Sequence, residues 1–368
     1  MTARRSRNGL PSPILISLDA MGGDHGPSVV VGGVRDYRKR HGGEGVRFQL
    51  HGDEAAIRAE MAKCDLADDV CEVRHTDKVV SMEEKPAQAM RRGKGSSLWN
   101  AIDAVKHGEA AAVVSAGNTG ALMAISKLLL RMSAHGLERP AIVASWPTFR
   151  GVTAVLDVGA NVESDAEQLV EFAIMGEAFH AAVHGVARPT IGLLNVGSED
   201  MKGHEEVREA ARLLREGGFG LDYKGFVEGD DIAKGTVDVV VTDGFTGNIA
   251  LKTAEGVAKF IGALTKEALT SSLLAKAGAA LAYPALKAMS AKIDPNAING
   301  GPLLGLNGIV VKSHGGATAA GFGAAIRIAV DLARSDYLTK VSDSLNRLTT
   351  VLEQPATPGA DAAMETSQ

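Results

Sequence analysis

The chain has 368 residues, a formal net charge of −5, 45 % hydrophobic residues and only 4 % aromatic ones. The length suits two ordinary domains or one large α/β body, and the acidic balance excludes a general nucleic-acid binder, which needs a basic surface. With so few aromatics the core must be Val, Leu, Ile and Ala, which suits a Val-rich parallel sheet covered by Ala- and Leu-rich helices.

From the amino end, residues 1–12 read as a loose basic tail, and the apolar run 14–18 that follows ends at Asp19. That run is too short for a signal peptide, and no later stretch is apolar enough to span a membrane. Cys64 and Cys71 have neither CxxC spacing nor partners for a zinc set, so they read as thiols in a reducing compartment. A cytoplasmic address follows, with no metal and no cofactor expected.

Short apolar runs then alternate with longer helical segments. Strands are expected over 14–18, 46–50, 70–74, 111–115, 141–145, 153–156, 190–195, 237–242 and 309–312. Helices are expected over 28–40, 96–106, 121–132, 165–184, 204–216, 248–269 and 317–333. This βα succession predicts an open, mostly parallel twisted sheet with helices on both faces, whose ligands sit outside the strands' carboxyl ends. Residues 13–333 make a single catalytic body, one variant of which is two lobes around one crevice. Within it, 269–302 breaks the rhythm and reads as a projecting helical arm in which Pro284 should kink or end any helix. A C-terminal helix over 334–352 follows, and 353–368, rich in Ala, Pro and Gly, reads as a flexible tail.

One pattern occurs twice, as VVSAGNTGAL over 113–122 and as VVTDGFTGNI over 240–249. In each copy a β-branched run stops at a glycine-bracketed Thr and a helical stretch follows. A strand, a tight turn and a helix start form an anion cradle, because free backbone N–H groups and the positive helix end face outward. Two such cradles point to an enzyme that handles phosphate. Other strands end in similar loops, LDAMGGDHGP, LDVGANVESD, LLNVGSEDMKGHEE and VVKSHGGAT, which are expected to converge on one crevice.

These loops, together with SMEEKPAQAMRRGKGSS, FVEGDDI and GPLLGLNGIVVKSHGGAT, stand in the order found in bacterial phosphate acyltransferases of the PlsX type. The resemblance covers nearly all of 14–333. It implies a fold similar to phosphotransacetylases and the isocitrate dehydrogenase group. It also implies transfer of a fatty acyl group from acyl carrier protein to inorganic phosphate, giving acyl phosphate for phospholipid synthesis. Homodimers and peripheral membrane association are further implications, and a glycerol-3-phosphate acyltransferase downstream is a candidate partner.

Phosphate at neutral pH is already an anion and needs positioning more than deprotonation, whereas a thioester carbonyl under attack needs an oxyanion donor. Lys202 is the first catalytic candidate, because a cation in a βα loop can pair with phosphate or with the oxyanion, and its place in the family-like motif GSEDMKGHEE, at a helix start where acids are usual, favours that role. Asn248 and Asp243 are the next candidates, Asp243 to orient a lysine or accept a proton. For phosphate or acyl phosphate, Asn118, Thr119 and Gly120 of the first copy match Thr246 and Gly247 of the second, although Thr and Asn also cap helices by default. His25 and His314 lie in glycine-rich loops and complete the binding set.

An acidic carrier protein requires a basic dock, and Arg91, Arg92 and Lys94 offer one beside a family motif. Leu273, Leu274 and Leu281, interleaved with Lys276, Lys287 and Lys292, read as the membrane tip of the arm, with a dimer interface as the competing explanation. Two other functions remain: a NAD-dependent dehydrogenase of the related fold, for which DAMGGDHGP lacks the GxGxxG fingerprint, and a membrane-associated scaffold that binds acyl carrier protein. The second copy of the repeat, beside Lys202, is the expected reaction site.

Overall fold

The computed structural model describes residues 13–133, 137, 139–292 and 299–352; both expected tails and the stretch 293–298 of the arm lie outside the described residues. Eleven strands, β1 (Ile14–Asp19), β2 (Val46–Gly52), β3 (Cys71–His75), β4 (Ala112–Ser115), β5 (Ala141–Thr148), β6 (Gly151–Leu156), β7 (Thr190–Leu194), β8 (Asp222–Val227), β9 (Val239–Val241), β10 (Gly301–Leu304) and β11 (Ile309–Lys312), form one sheet. Their order is β3-β2-β1-β4-β11-β10-β5-β6-β9-β7-β8. The helices are α1 (Pro27–His41), α2 (Glu54–Cys64), α3 (Pro86–Arg92), α4 (Ser97–Lys106), α5 (Thr119–Leu130), α6 (Ala166–His184), α7 (Glu205–Glu216), α8 (Gly229–Lys234), α9 (Gly244–Thr270), α10 (Leu273–Lys292), α11 (Ala319–Arg334) and α12 (Tyr337–Leu352).

The expected α/β class and mostly parallel sheet hold, and the central strands are Val-rich and fully buried, as β4 and β9 illustrate. Helix α6 lies inside the core with Phe172, Met175 and Phe179 buried, and it starts at a capping box made by Asp165 and Gln168. Two strands were not legible by pattern. β8 is a half-buried edge strand, and β10 opens Gly-Pro, a poor start for a central strand. Pro302 is tolerated because it pairs only with Val311 of β11; the ladder to β5 starts at Leu303.

β10 is antiparallel to both β11 and β5, and β5 is antiparallel to β6. The parallel group containing β1, β4 and β11 therefore runs opposite to the group containing β6, β9 and β7. Their carboxyl ends leave the sheet at opposite edges, so the ligand-type loops form two sets and not the single converging group expected from the sequence.

The arm also differs from expectation. α9 is 27 residues long and buries only Gly244 and Gly247, both in its first turn, so most of α9 joins α10 in the projecting hairpin. Of the two outcomes expected at Pro284, a kink or an end, the helix does not end: α10 runs through it. Its surroundings are exposed and Ala-rich, so water can satisfy the carbonyl that the proline leaves unpaired and good helix formers carry the turn on either side. Among the described residues no helix is long and apolar enough to cross a membrane.

Two histidines give the fold an acid limit. Burial, with Arg74 nearby, pushes His51 down to about 4, and burial, with His180 and Arg327 nearby, does the same to His184. His184 Nε2 lies 3.1 Å from Ser145 Oγ, and His51 Nε2 lies 3.1 Å from the Gln49 amide. Between pH 6.5 and 4 the unfolded chain binds protons that these folded imidazoles refuse, so stability falls as pH drops through that window. The loss is at most about 3 kcal/mol per histidine. Urea unfolding at pH 7 and pH 5 should show it, and His51→Gln with His184→Gln should flatten the difference; an equal pH slope in that variant would remove the assignment. Cys64 and Cys71 are free thiols, and burial pushes Cys71 up to about 12.

Candidate active site

At the carboxyl ends of β1, β4 and β11 the loops 20–26, 116–118 and 313–318 meet. Lys312, the last residue of β11, donates its Nζ to the Ala116 carbonyl at 3.2 Å and to the Ser313 carbonyl, so one ammonium holds two loops together. Desolvation pushes it down to about 8, opposed by the nearby charges of Asp19 and Asp24. Asp19, 2 % exposed at the end of β1, accepts from Ser115 Oγ at 2.7 Å, and burial raises its carboxyl above the ordinary range. The first repeat copy is built onto this frame.

In that copy both ends of the Asn118 amide are engaged. Its Oδ1 caps Ala121 N at 3.0 Å, while its Nδ2 donates to the carbonyls of Met82 and Glu84, each at 2.8 Å. Thr119 is exposed at the start of α5, and a Cβ on Gly120 would meet Pro86 at the start of α3. Arg91, Arg92 and Lys94 are exposed at the end of α3, so the basic patch adjoins this first set. His25 and His314 are exposed on the neighbouring loops; His314 Nδ1 accepts from Gly316 N at 3.1 Å.

The second set gathers at the carboxyl ends of β6, β9 and β7. Its hub is Asp157, fully buried, which accepts from the backbone N–H groups of Ile142 (2.9 Å), Gly159 (3.2 Å) and Asn161 (2.6 Å) and from Asn161 Nδ2 (3.0 Å). Burial raises its carboxyl, and these donors pull against that rise. The second repeat copy wraps over the hub: Gly244 N donates to the Asn161 carbonyl at 2.7 Å, and Asn248 Nδ2 donates to the Val158 carbonyl at 3.1 Å.

Gly247 is obligatory in this wrap. A Cβ there would collide with the Asp157 carbonyl and press on Thr242. Because the obstacle is backbone, Gly247→Ala should cost about 3 kcal/mol, the upper end of overpacking penalties. Urea unfolding measures it, and a loss below about 1 kcal/mol would mean the wrap is looser than drawn.

Asp243 is the N-cap of α9: its Oδ1 accepts from Thr246 N and its Oδ2 from Thr246 Oγ1, both at 2.8 Å. A carboxylate thus sits on the positive helix end. Lys202 stands in the 195–204 loop. Its strand β7 pairs with β9 through Leu193 and Val241, so the two loops emerge side by side. The ammonium is half-exposed and pairs with Glu199 at 2.8 Å; that partner raises its pKa, so it is charged at neutral pH. Asn195 Nδ2 clamps the Lys202 carbonyl at 3.0 Å.

The structure therefore brings Lys202, Asp243, Thr246, Gly247 and Asn248 to one edge of the sheet. His25, Asn118, Thr119, Gly120 and His314 gather at the other. Sequence reasoning missed Asp19, Lys312, Asp157 and Asn161, although each stands in a loop it singled out. The available signal was a charged residue closing an apolar run, as in ILISLD and IVVK.

A family model described as "Fatty acid synthesis protein" matches residues 14–340. A phosphate acyltransferase of Caulobacter vibrioides is 68 % identical over 336 residues, covering 91 % of this chain and 92 % of the relative. One from Phenylobacterium zucineum is 59 % identical over 350 residues, covering 95 % and 99 %. Among solved structures, a phosphotransacetylase from Streptococcus pyogenes superposes with a TM-score of 0.61 at 17 % identity, over 87 % of this chain and 94 % of that one, a likeness of fold. With identity this high along almost the whole length, the chain belongs to the phosphate acyltransferase family, enzymes of acyl transfer.

Proposed function

We propose that this enzyme moves a fatty acyl group from acyl carrier protein to inorganic phosphate, and that the second loop set is where it does so. A phosphate oxygen attacks the thioester carbonyl, the C–S bond breaks, and the carrier leaves as its thiol after taking a proton. The observation that carries the reading is the pairing of β7 with β9, which sets the Lys202 loop beside the capped start of α9. Lys202 exchanges Glu199 for phosphate or the developing oxyanion, and Asn248 positions the group. Asp243 holds the helix start in shape and keeps Thr246 oriented.

The carrier protein docks on Arg91, Arg92 and Lys94, whose charges steer an acidic partner. Because that patch adjoins the first loop set, the carrier's acyl-bearing arm must span both sets. Incubation with acyl carrier thioester should release free carrier thiol only when phosphate is present. Release independent of phosphate would overturn the reading.

The α9–α10 hairpin belongs to the same proposal, as a paired arm of a cytoplasmic homodimer whose apolar tip rests on the membrane. The product would then be handed to a glycerol-3-phosphate acyltransferase for phospholipid synthesis. Leu273 and Leu281 are 86 % and 87 % exposed, Leu274 is similar, and Lys276 and Lys287 stand among them to meet anionic lipid. Leu273→Glu with Leu281→Glu should lower the fraction that co-sediments with anionic vesicles at least tenfold. Unchanged sedimentation would assign the tip to the dimer alone.

A further inference from the structure

Scattered exposed apolar residues are ordinary on any protein surface, but here five of them stand around one polar site. Val162 comes from the 157–165 loop after β6, Val196 and Met201 from the 195–204 loop after β7, and Phe245 and Ile249 from the first turns of α9 after β9. Met201 is 89 % exposed, Val196 77 % and Phe245 60 %, and the other two exceed half. Around the first loop set the large apolar residues Val79 and Met82 are less exposed, at 43 % each. Phe149, 91 % exposed, lies in the β5–β6 turn at the opposite edge.

Position gives the collar its chemistry. Phe245 and Ile249 are four residues apart and share a helix face, with Asn248 beside them at the spacing of three from Phe245. Met201 immediately precedes Lys202. Polar groups suited to an anion or an oxyanion are thus rimmed by side chains that water solvates poorly, and the matching ligand has a charged or polar reacting head on a hydrocarbon chain.

We propose that Val162, Val196, Met201, Phe245 and Ile249 seat the acyl chain beyond its first four carbons, so that they favour long chains over short ones. This rests on the acyl-transfer reading above. The Val196→Ser/Met201→Ser double variant, and separately Phe245→Ser, are assayed with hexadecanoyl and butanoyl thioesters of acyl carrier protein at saturating phosphate. Each methylene that loses an apolar wall should cost about fourfold in the long-chain rate.

The hexadecanoyl-to-butanoyl ratio of kcat/KM is therefore expected to fall at least tenfold in each variant. A ratio that does not move overturns the proposal. So does an equal fall for both chains with loss of the oligomer in sedimentation, which would give the collar to a second copy of the chain. Wild-type protein that transfers neither chain to phosphate would overturn the parent reading, an outcome distinct from any change seen only in the variants.

Discussion

Lys202→Met is expected to lower kcat/KM for phosphate-dependent acyl transfer by about 10²–10³-fold, the usual cost of removing one preorganised group that stabilises developing charge. The magnitude depends on what the ammonium does when substrate is absent. Its pair with Glu199 at 2.8 Å has both side chains about half-exposed or more, and such pairs contribute only about 0–1 kcal/mol. Breaking it to receive phosphate therefore offsets little of the new interaction, so Lys202 is held near the site without being committed to Glu199.

The companion variant Glu199→Gln separates the two roles. It frees Lys202 from its resting partner and should raise phosphate affinity a few-fold, because a competing anion is gone. In Lys202→Met the urea midpoint should stay near wild type, since the side chain is exposed and supports no core. Steady-state kinetics with varied phosphate and varied thioester test this directly. Lys202→Met with more than a tenth of wild-type kcat/KM would move the catalytic assignment elsewhere.

Much of the candidate site's local geometry was legible because its information is local. The second repeat copy carries its own strand end, its cap Asp243 and its obligatory Gly247 within ten residues, and Lys202 stands in a loop of unusual composition. What escaped was non-local. The reversal between the two halves of the sheet depends on β10, whose GPLL has neither alternation nor β-branched residues, and on a tight β5–β6 hairpin read only as two separate strands. Without that reversal the loops would share one crevice. Asp157 escaped for a related reason: its partners Ile142, Gly159 and Asn161 come from both sides of that hairpin, and spacing alone assigns an Asp at a strand end to a turn.

Asp19 and Lys312 are farthest apart in sequence and yield the second large effect. Lys312→Met is expected to destabilise the fold by about 1–3 kcal/mol at pH 7, the usual cost of leaving buried acceptors without their donor. Two losses combine. The carbonyls of Ala116 and Ser313 lose the donor that joins their loops, and Asp19 loses a nearby positive charge that, after its hydrogen bonds from Ser115, Ser97 and Met21, works against its burial.

The pH dependence separates these terms. In wild type the folded Asp19 carboxyl is already raised by burial, and without Lys312 it rises further. An acid whose folded pKa lies above its unfolded value gains stability by holding a proton, and that gain is lost as pH rises through the folded pKa. Lys312→Met should therefore lie closer to wild type at pH 5 than at pH 7, provided both proteins are compared at each pH so that the histidine effect cancels. Asp19→Asn combined with Lys312→Met should recover the charge part at pH 7 and leave the carbonyl part. Equal losses at both pH values, with no recovery in the double variant, would mean that Lys312 acts on the loops through its two carbonyls alone. The order of the outcomes thus tells whether the charge near Asp19 or the hydrogen-bonded clamp on the two carbonyls holds the first loop set.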